Sequence, residues 1–167
     1  MGDTVSTSSI ERVTVATGLG YEQLVSAFEG ELGRFDPAAG KSLVDRRAPW
    51  NEVKAAIERM AGPHGLMIIF AADQGALTSL SGKAKRCSLY IVGNPVIAND
   101  ILDIDLGASF YVPFRVALYE SGDGGRAVFA YDRPSSFLSS LGRPELKAFG
   151  TALDGKIESV LAAIRKR

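Results

Sequence analysis

Residues 88–136, SLYIVGNPVIANDILDIDLGASFYVPFRVALYESGDGGRAVFAYDRPSS, decide the fold of this chain. The segment reads as strand, Asn-Pro helix start, long strand, glycine-rich turn and return strand. In 110–119 the apolar Phe110, Val112, Phe114, Val116 and Leu118 alternate with Tyr111, Pro113, Arg115, Ala117 and Tyr119, the period-two pattern of a strand with one buried face. Pro113 has no N–H to give a ladder, so it marks an edge or a bulge. The glycine-rich 121–125 makes a hairpin loop and 126–132 the returning strand. Upstream, 85–93 is a strand with Cys87, Leu89 and Ile91 on one face. Asn94 is an N-cap, because its side-chain oxygen accepts a free backbone N–H, and Pro95 at the first helical position loses nothing by lacking one. A short helix over 96–102 follows.

The flanks complete an α+β pattern. Residues 1–9 are polar and form a loose arm, and 10–16 is a first strand rich in β-branched residues. Tyr21, Leu24, Val25, Phe28 and Leu32 recur at helical spacing, as do Trp50, Val53, Ile57 and Met60, stopped by Gly62-Pro63. Residues 33–49, with Gly33, Pro37, Gly40 and Pro49, read as an irregular connection. The continuous apolar run 65–72 reads as a strand buried on both faces. Residues 75–84 read as a loop or short turn. Pro144 opens a last helix with a long apolar stripe from Leu146 to Ile164. The expected order is β-α-α-β-β-α-β-β-α, in one two-layer α+β domain over 10–167.

Composition narrows the functional classes. The chain has 167 residues, 46% hydrophobic and 23% charged, long enough for a substantial core and too apolar for disorder. Nineteen basic residues balance nineteen acidic ones, so no global field draws it to nucleic acid or an anionic membrane. A single cysteine excludes an intrachain disulfide, and Cys87 in its apolar run reads as an inert thiol. The longest apolar run falls far short of the roughly 20 residues that span a bilayer. The first ten residues have no basic and apolar signal pattern, though Gly2 and Ser6 fit the loose myristoylation pattern. The expectation is a soluble, cytoplasmic protein without nucleic-acid or membrane partners.

No catalytic constellation is legible. Residues 80–84, LSGKA, would end a phosphate-binding loop only with glycine at 77 and Ser or Thr at 84, and the chain has Leu77 and Ala84. Gly18-Leu19-Gly20 lacks the third glycine of a dinucleotide fingerprint, and no serine sits in G-x-S-x-G. His64, the lone histidine, has too few partners for a zinc site and reads as an ordinary loop residue. Asp100, Asp103 and Asp105 lack the glycine and glutamate of a calcium loop. Lys83, Lys85 and Arg86 read as an exposed strand entry, and Arg165-Lys166-Arg167 as a complement to a helix dipole. Catalytic residues, metals and cofactors are therefore not assigned.

Two features retain functional interest. Asn94-Pro95 places a helix N-terminus directly after a strand, where free N–H groups can hold an anion. The face of the long strand carrying Tyr111, Arg115 and Tyr119 is left uncovered if the other face packs under helices, and suits a protein contact or a small-ligand cleft. Tyr90 and Tyr131, on neighbouring strands, are candidates to join it. One reading is thus a non-enzymatic dimeric module using this face. The alternative is a binding domain or modest enzyme for a small anionic ligand, with a cleft near Asn94, Arg115 and Tyr131.

The wording of YIVGNPVIANDIL (90–102), YVPFRVALYE (111–120), FAYDRPSS (129–136) and TALDGKIESVL (151–161) resembles the bacterial and archaeal family called domain of unknown function 302. The resemblance spans 10–165, with 34–63 as an insertion relative to shorter members. It implies a two-layer sandwich, a curved and mainly antiparallel sheet with helices on one face, similar to one repeat of the TATA-binding protein. It also implies homodimers and brings no activity, since a shared fold does not transfer function.

Overall fold

Alternating β-branched and aromatic residues form the strands, and Asx-Pro or Pro-led turns start most of the helices. The structure is a computed structural model that describes residues 2–122 and 125–167. Its elements are β1 (Arg12–Ala16), α1 (Tyr21–Glu31), β2 (Gly33–Arg34), α2 (Pro37–Asp45), α3 (Trp50–Met60), β3 (Met67–Asp73) and α4 (Gln74–Ser79). There follow β4 (Cys87–Gly93), α5 (Pro95–Leu102), a 3₁₀ turn over Leu106–Phe110, β5 (Phe114–Glu120), β6 (Ala127–Asp132), α6 (Pro134–Ser139) and α7 (Pro144–Ile164). Residues 2–10 are exposed and carry no helix or strand.

Among the described residues the strands make one six-stranded open sheet in the order β1-β6-β5-β4-β3-β2. Neighbours pair antiparallel except β2, which lies parallel to β3. The architecture is α+β, a helical layer against a mainly antiparallel sheet. Phe114, Val116 and Leu118 of β5 share the inner face with Tyr90 and Val92 of β4 and with Phe129 and Tyr131 of β6, all buried. Leu24 and Phe28 of α1 and Leu153, Ile157 and Val160 of α7 pack into the same core. The Phe28 ring meets Tyr90 edge-on at 4.9 Å and Phe129 at 5.5 Å, so one aromatic ties α1 to two strands.

Several expectations are corrected. β5 begins at Phe114, not at 110, and Phe110 is 84% exposed rather than core. The intervening residues close the 3₁₀ turn: Asp105 accepts the Gly107 N–H at 2.8 Å, and the Tyr111 N–H donates to the Ala108 carbonyl. The connection 33–49 is not irregular, because Asp36 accepts the N–H groups of Ala38 and Ala39 and caps α2. Residues 74–79 form α4, capped by Asp73, and Pro134 opens an α6 that the sequence pattern did not signal. β3 is buried on both faces only at Met67 and Ile68, while Phe70 is 57% exposed. The hairpin between β5 and β6 is closed by Ser121 N–H to the Arg126 carbonyl, and its expected tip at 123–124 lies outside the described residues.

Candidate functional site

Asn94 caps α5 as its position after β4 dictates. Its Oδ1 accepts the N–H groups of Val96 at 2.9 Å and Ile97 at 3.4 Å. Its Nδ2 donates to the Gly65 carbonyl at 2.9 Å, fixing the loop ahead of β3. Pro95 has no N–H, and the Ala98 N–H bonds to the Asn94 carbonyl. The first turn of α5 therefore presents no free donor, which removes the physical basis for an anion at this helix start.

What lies beside Asn94 is an apolar cavity of about 220 Å³. Its walls include Phe35, Ile69, Ile97, Ile101, Phe114 and Leu153, from the β2–α2 connection, β3, α5, β5 and α7. Asn94 is a polar residue on that wall, and both ends of its amide are already bonded.

The residues expected around Arg115 divide between the two faces of the sheet. Arg115 is exposed and Tyr119 half-buried on the outer face, opposite Ile91 and Cys87 of β4. Tyr111 is not on that face. It precedes the strand, stacks on Phe137 at 5.3 Å, and its hydroxyl accepts from Ser140 at 3.0 Å. Tyr131 stands opposite Val116 on the inner face and is buried, which pushes its hydroxyl pKa up. Tyr90, also inner, donates to Glu29 at 3.0 Å, and burial followed by that carboxylate raises its pKa strongly. Asn94, Arg115 and Tyr131 are thus not brought together, because the one-residue alternation sends Phe114 to the cavity and Arg115 away from it.

On the outer face Phe70 of β3 and Arg115 of β5 are exposed and Leu89 and Ile91 of β4 and Ala117 and Tyr119 of β5 are half-buried, while Val128 and Ala130 of β6 are buried. Arg12 and Asp132 form an ion pair at 2.7 Å at the β1–β6 edge of this face. Arg115 forms no ion pair among the described residues.

His64, expected as an ordinary loop residue, is held at both nitrogens. Nδ1 lies 2.7 Å from the Ser159 hydroxyl on α7, and Nε2 lies 3.0 Å from Glu31 on α1. Arg167 donates to the other Glu31 oxygen at 2.5 Å. A serine, a histidine and an acid in contact raise the question of nucleophilic catalysis. Ser159, however, also donates to the Lys156 carbonyl of its own helix at 2.7 Å. The serine and the acid also meet the opposite ring nitrogens from those of a Ser-His-Asp hydrolase. The cluster works as a clamp between α1, the loop before β3 and the end of α7. Spacing gave no signal for it, since Glu31, His64 and Ser159 are far apart in sequence.

The hydrogen bond from His64, then that from Arg167, holds the Glu31 carboxyl below its ordinary value of 4.5. A depressed carboxylate pKa contributes stability that is present above the ordinary value and is lost as pH falls through the lower folded-state value. Glu31→Gln is expected to lower Tm at pH 7, with the gap to the parent closing as both are melted at pH values descending below about 4. A gap that does not change with pH would show that the carboxylate charge plays no part.

Tyr21 and Ser88 share a buried hydroxyl–hydroxyl bond of 2.7 Å beside Tyr90 and Glu29, in a groove between α1 and the β3–β4 edge. The sequence signal for this polar network is the alternation that places Ser88 and Tyr90 on the same side of β4.

A family model described as "Domain of unknown function DUF302" matches residues 44–164. Among solved structures, the fold is similar to that titled "Crystal structure of uncharacterized conserved protein DUF302 from Bacillus stearothermophilus". That similarity has a TM-score of 0.63 at 14% identity and covers 91% of this chain and 96% of the other. At that identity it speaks to the fold alone. No curated protein matches the chain. Among the described residues no helix is long and apolar enough to cross a membrane.

Proposed function

This chain belongs to the family described as domain of unknown function DUF302, and from that premise we propose that it is a non-enzymatic interaction module that pairs with a second copy of itself through the outer face of its sheet. The observation that carries the reading is the composition of that face. A strand face turned to water normally alternates to polar residues, whereas here Phe70, Leu89, Ile91 and Ala117 occupy the outward positions. Five strands of five to seven residues at about 4.8 Å spacing give a patch roughly 20 Å by 20 Å. That is the footprint of a small, transient isologous interface.

A second copy fits the chemistry of the patch. In a two-fold contact each residue meets its partner reciprocally, and Arg115, without an ion pair among the described residues and four positions before Tyr119 on the same face of β5, gives two equivalent Arg115-over-Tyr119 stackings. The rim supplies Arg12 and Asp132, of opposite charge, at one edge. The anionic-cleft alternative has less support, because Pro95 has no N–H, Asn94 Oδ1 takes the N–H groups of Val96 and Ile97, and Arg115 points elsewhere.

Sedimentation velocity across about 1–100 µM protein tests this, with dimer expected at the upper end. Arg115→Glu is expected to raise the dimer dissociation constant at least about tenfold, since it replaces both cation–π stackings with carboxylates held against the negative faces of the tyrosine rings. It should leave the thermal stability of the isolated subunit nearly unchanged. A single monomeric species for the parent chain throughout that range would overturn the proposal.

A further inference from the structure

We propose that the cavity beside α5 is a binding site for an uncharged apolar group of about eight to ten carbon atoms, separate from the outer face of the sheet. Three local features shape that cavity. The β3 register shifts between Ile68 and Phe70, and the bulge releases Ile69 from the ladder to line the wall. Phe35 is set by its N–H bond to the Ile68 carbonyl at 3.0 Å. Its ring lies against Gly40 of α2, where a Cβ would come within 2.6 Å of the ring, so the glycine makes room for this wall. Ala98, small and half-buried on α5, leaves the remaining space.

The chemistry of the ligand follows from what the walls lack. Among the described residues no charged side chain lines the walls, and Asn94 Oδ1 accepts two backbone N–H groups while its Nδ2 donates to the Gly65 carbonyl. A buried carboxylate or ammonium would therefore go unpaired there. Dry apolar cavities of about 150 Å³ accept benzene. The 220 Å³ found here then takes a group about half again as large.

The test uses the full chain carrying ¹³C-labelled Ile and Leu methyls, titrated with naphthalene and separately with 1-naphthoate. Saturable shifts are expected for Ile69, Ile97, Ile101 and Leu153, with Leu89 and Ile91 on the outer face unmoved. Ala98→Phe, which fills the space, is expected to weaken naphthalene at least about tenfold while the sheet methyls keep their positions. If that ring disrupts folding, Ala98→Leu gives the same comparison with a smaller change. Naphthoate is expected to bind at least about tenfold more weakly than naphthalene. The proposal fails if naphthalene shows no saturation up to its solubility limit, if its shifts centre on Leu89 and Ile91, or if filling the cavity leaves affinity unchanged. Equal affinity for naphthoate would overturn the assigned ligand class.

Discussion

Gly33→Val should cost about 3–5 kcal/mol, the largest loss expected from one substitution outside the core proper. β2 passes the loop after α3 with backbone against backbone. A Cβ on Gly33 would lie 1.8 Å from the Met60 carbonyl oxygen and 2.6 Å from the Gly62 nitrogen. Neither atom belongs to a side chain that can swing aside. Relief requires the two segments to part, which strains or breaks the bonds by which the N–H groups of Gly33 and Gly62 both reach the Leu66 carbonyl, at 3.1 and 3.0 Å. Each such bond is worth about 1 kcal/mol, on top of the overpacking. Gly155, exposed in α7 with nothing within 4 Å of an added Cβ, is the control. Gly155→Ala should stabilise by about 0.5–1 kcal/mol, as for any open mid-helix glycine. Urea unfolding midpoints of the two variants would separate these cases. A Gly33→Val protein as stable as its parent would mean that β2 does not cross the loop as described.

Phe114→Ala should cost about 3–5 kcal/mol, whereas Arg115→Ala should change the isolated subunit by no more than about 0.5 kcal/mol. The two residues are adjacent and differ only in phase. Phe114 is 3% exposed, opposite Val92 and within the core shared with α7, and Arg115 is exposed on the other side of β5. Denaturant melts at a protein concentration where the subunit is monomeric make the comparison clean. Equal losses at the two sites would contradict the assigned faces of β5.

That phase was legible in the sequence, because Phe114, Val116 and Leu118 alternate without interruption and leave one register in which the apolar set is buried. The same is true of Asn94, whose cap and proline pair announce α5. Asp36-Pro37 carries the same signal for α2, but Gly40 a few residues later read as a breaker. Mid-helix glycine does cost about 1 kcal/mol. Here it is offset by the Phe35 ring that packs where its side chain would be. Tyr111 illustrates the opposite failure. Its alternation with Phe110 and Val112 looks like strand, yet the Asp105 cap and the turn it starts take precedence over it.

The candidate site was less legible than the fold. Tyr131 and Tyr90 face inward because of how β6 and β4 register on β5, and register across a hairpin depends on its loop, not on composition. The His64 clamp joins three distant segments, which no spacing rule detects. The apolar run in β3 was read as burial on both faces, and Phe70 stands open instead. A residue pattern suited to two-sided burial, found on a one-sided sheet, is what a second layer supplied by another copy would require.

The most direct test of that account is the solvent accessibility of the Leu89 and Ile91 methyl groups, read by their relaxation in the presence of an inert gadolinium chelate. The account predicts that both become protected as protein concentration rises through the dimerisation range, while the exposed Leu106 methyls keep their accessibility, and that Arg115→Glu abolishes the protection. Leu89 and Ile91 methyls as accessible at high concentration as at high dilution would contradict it.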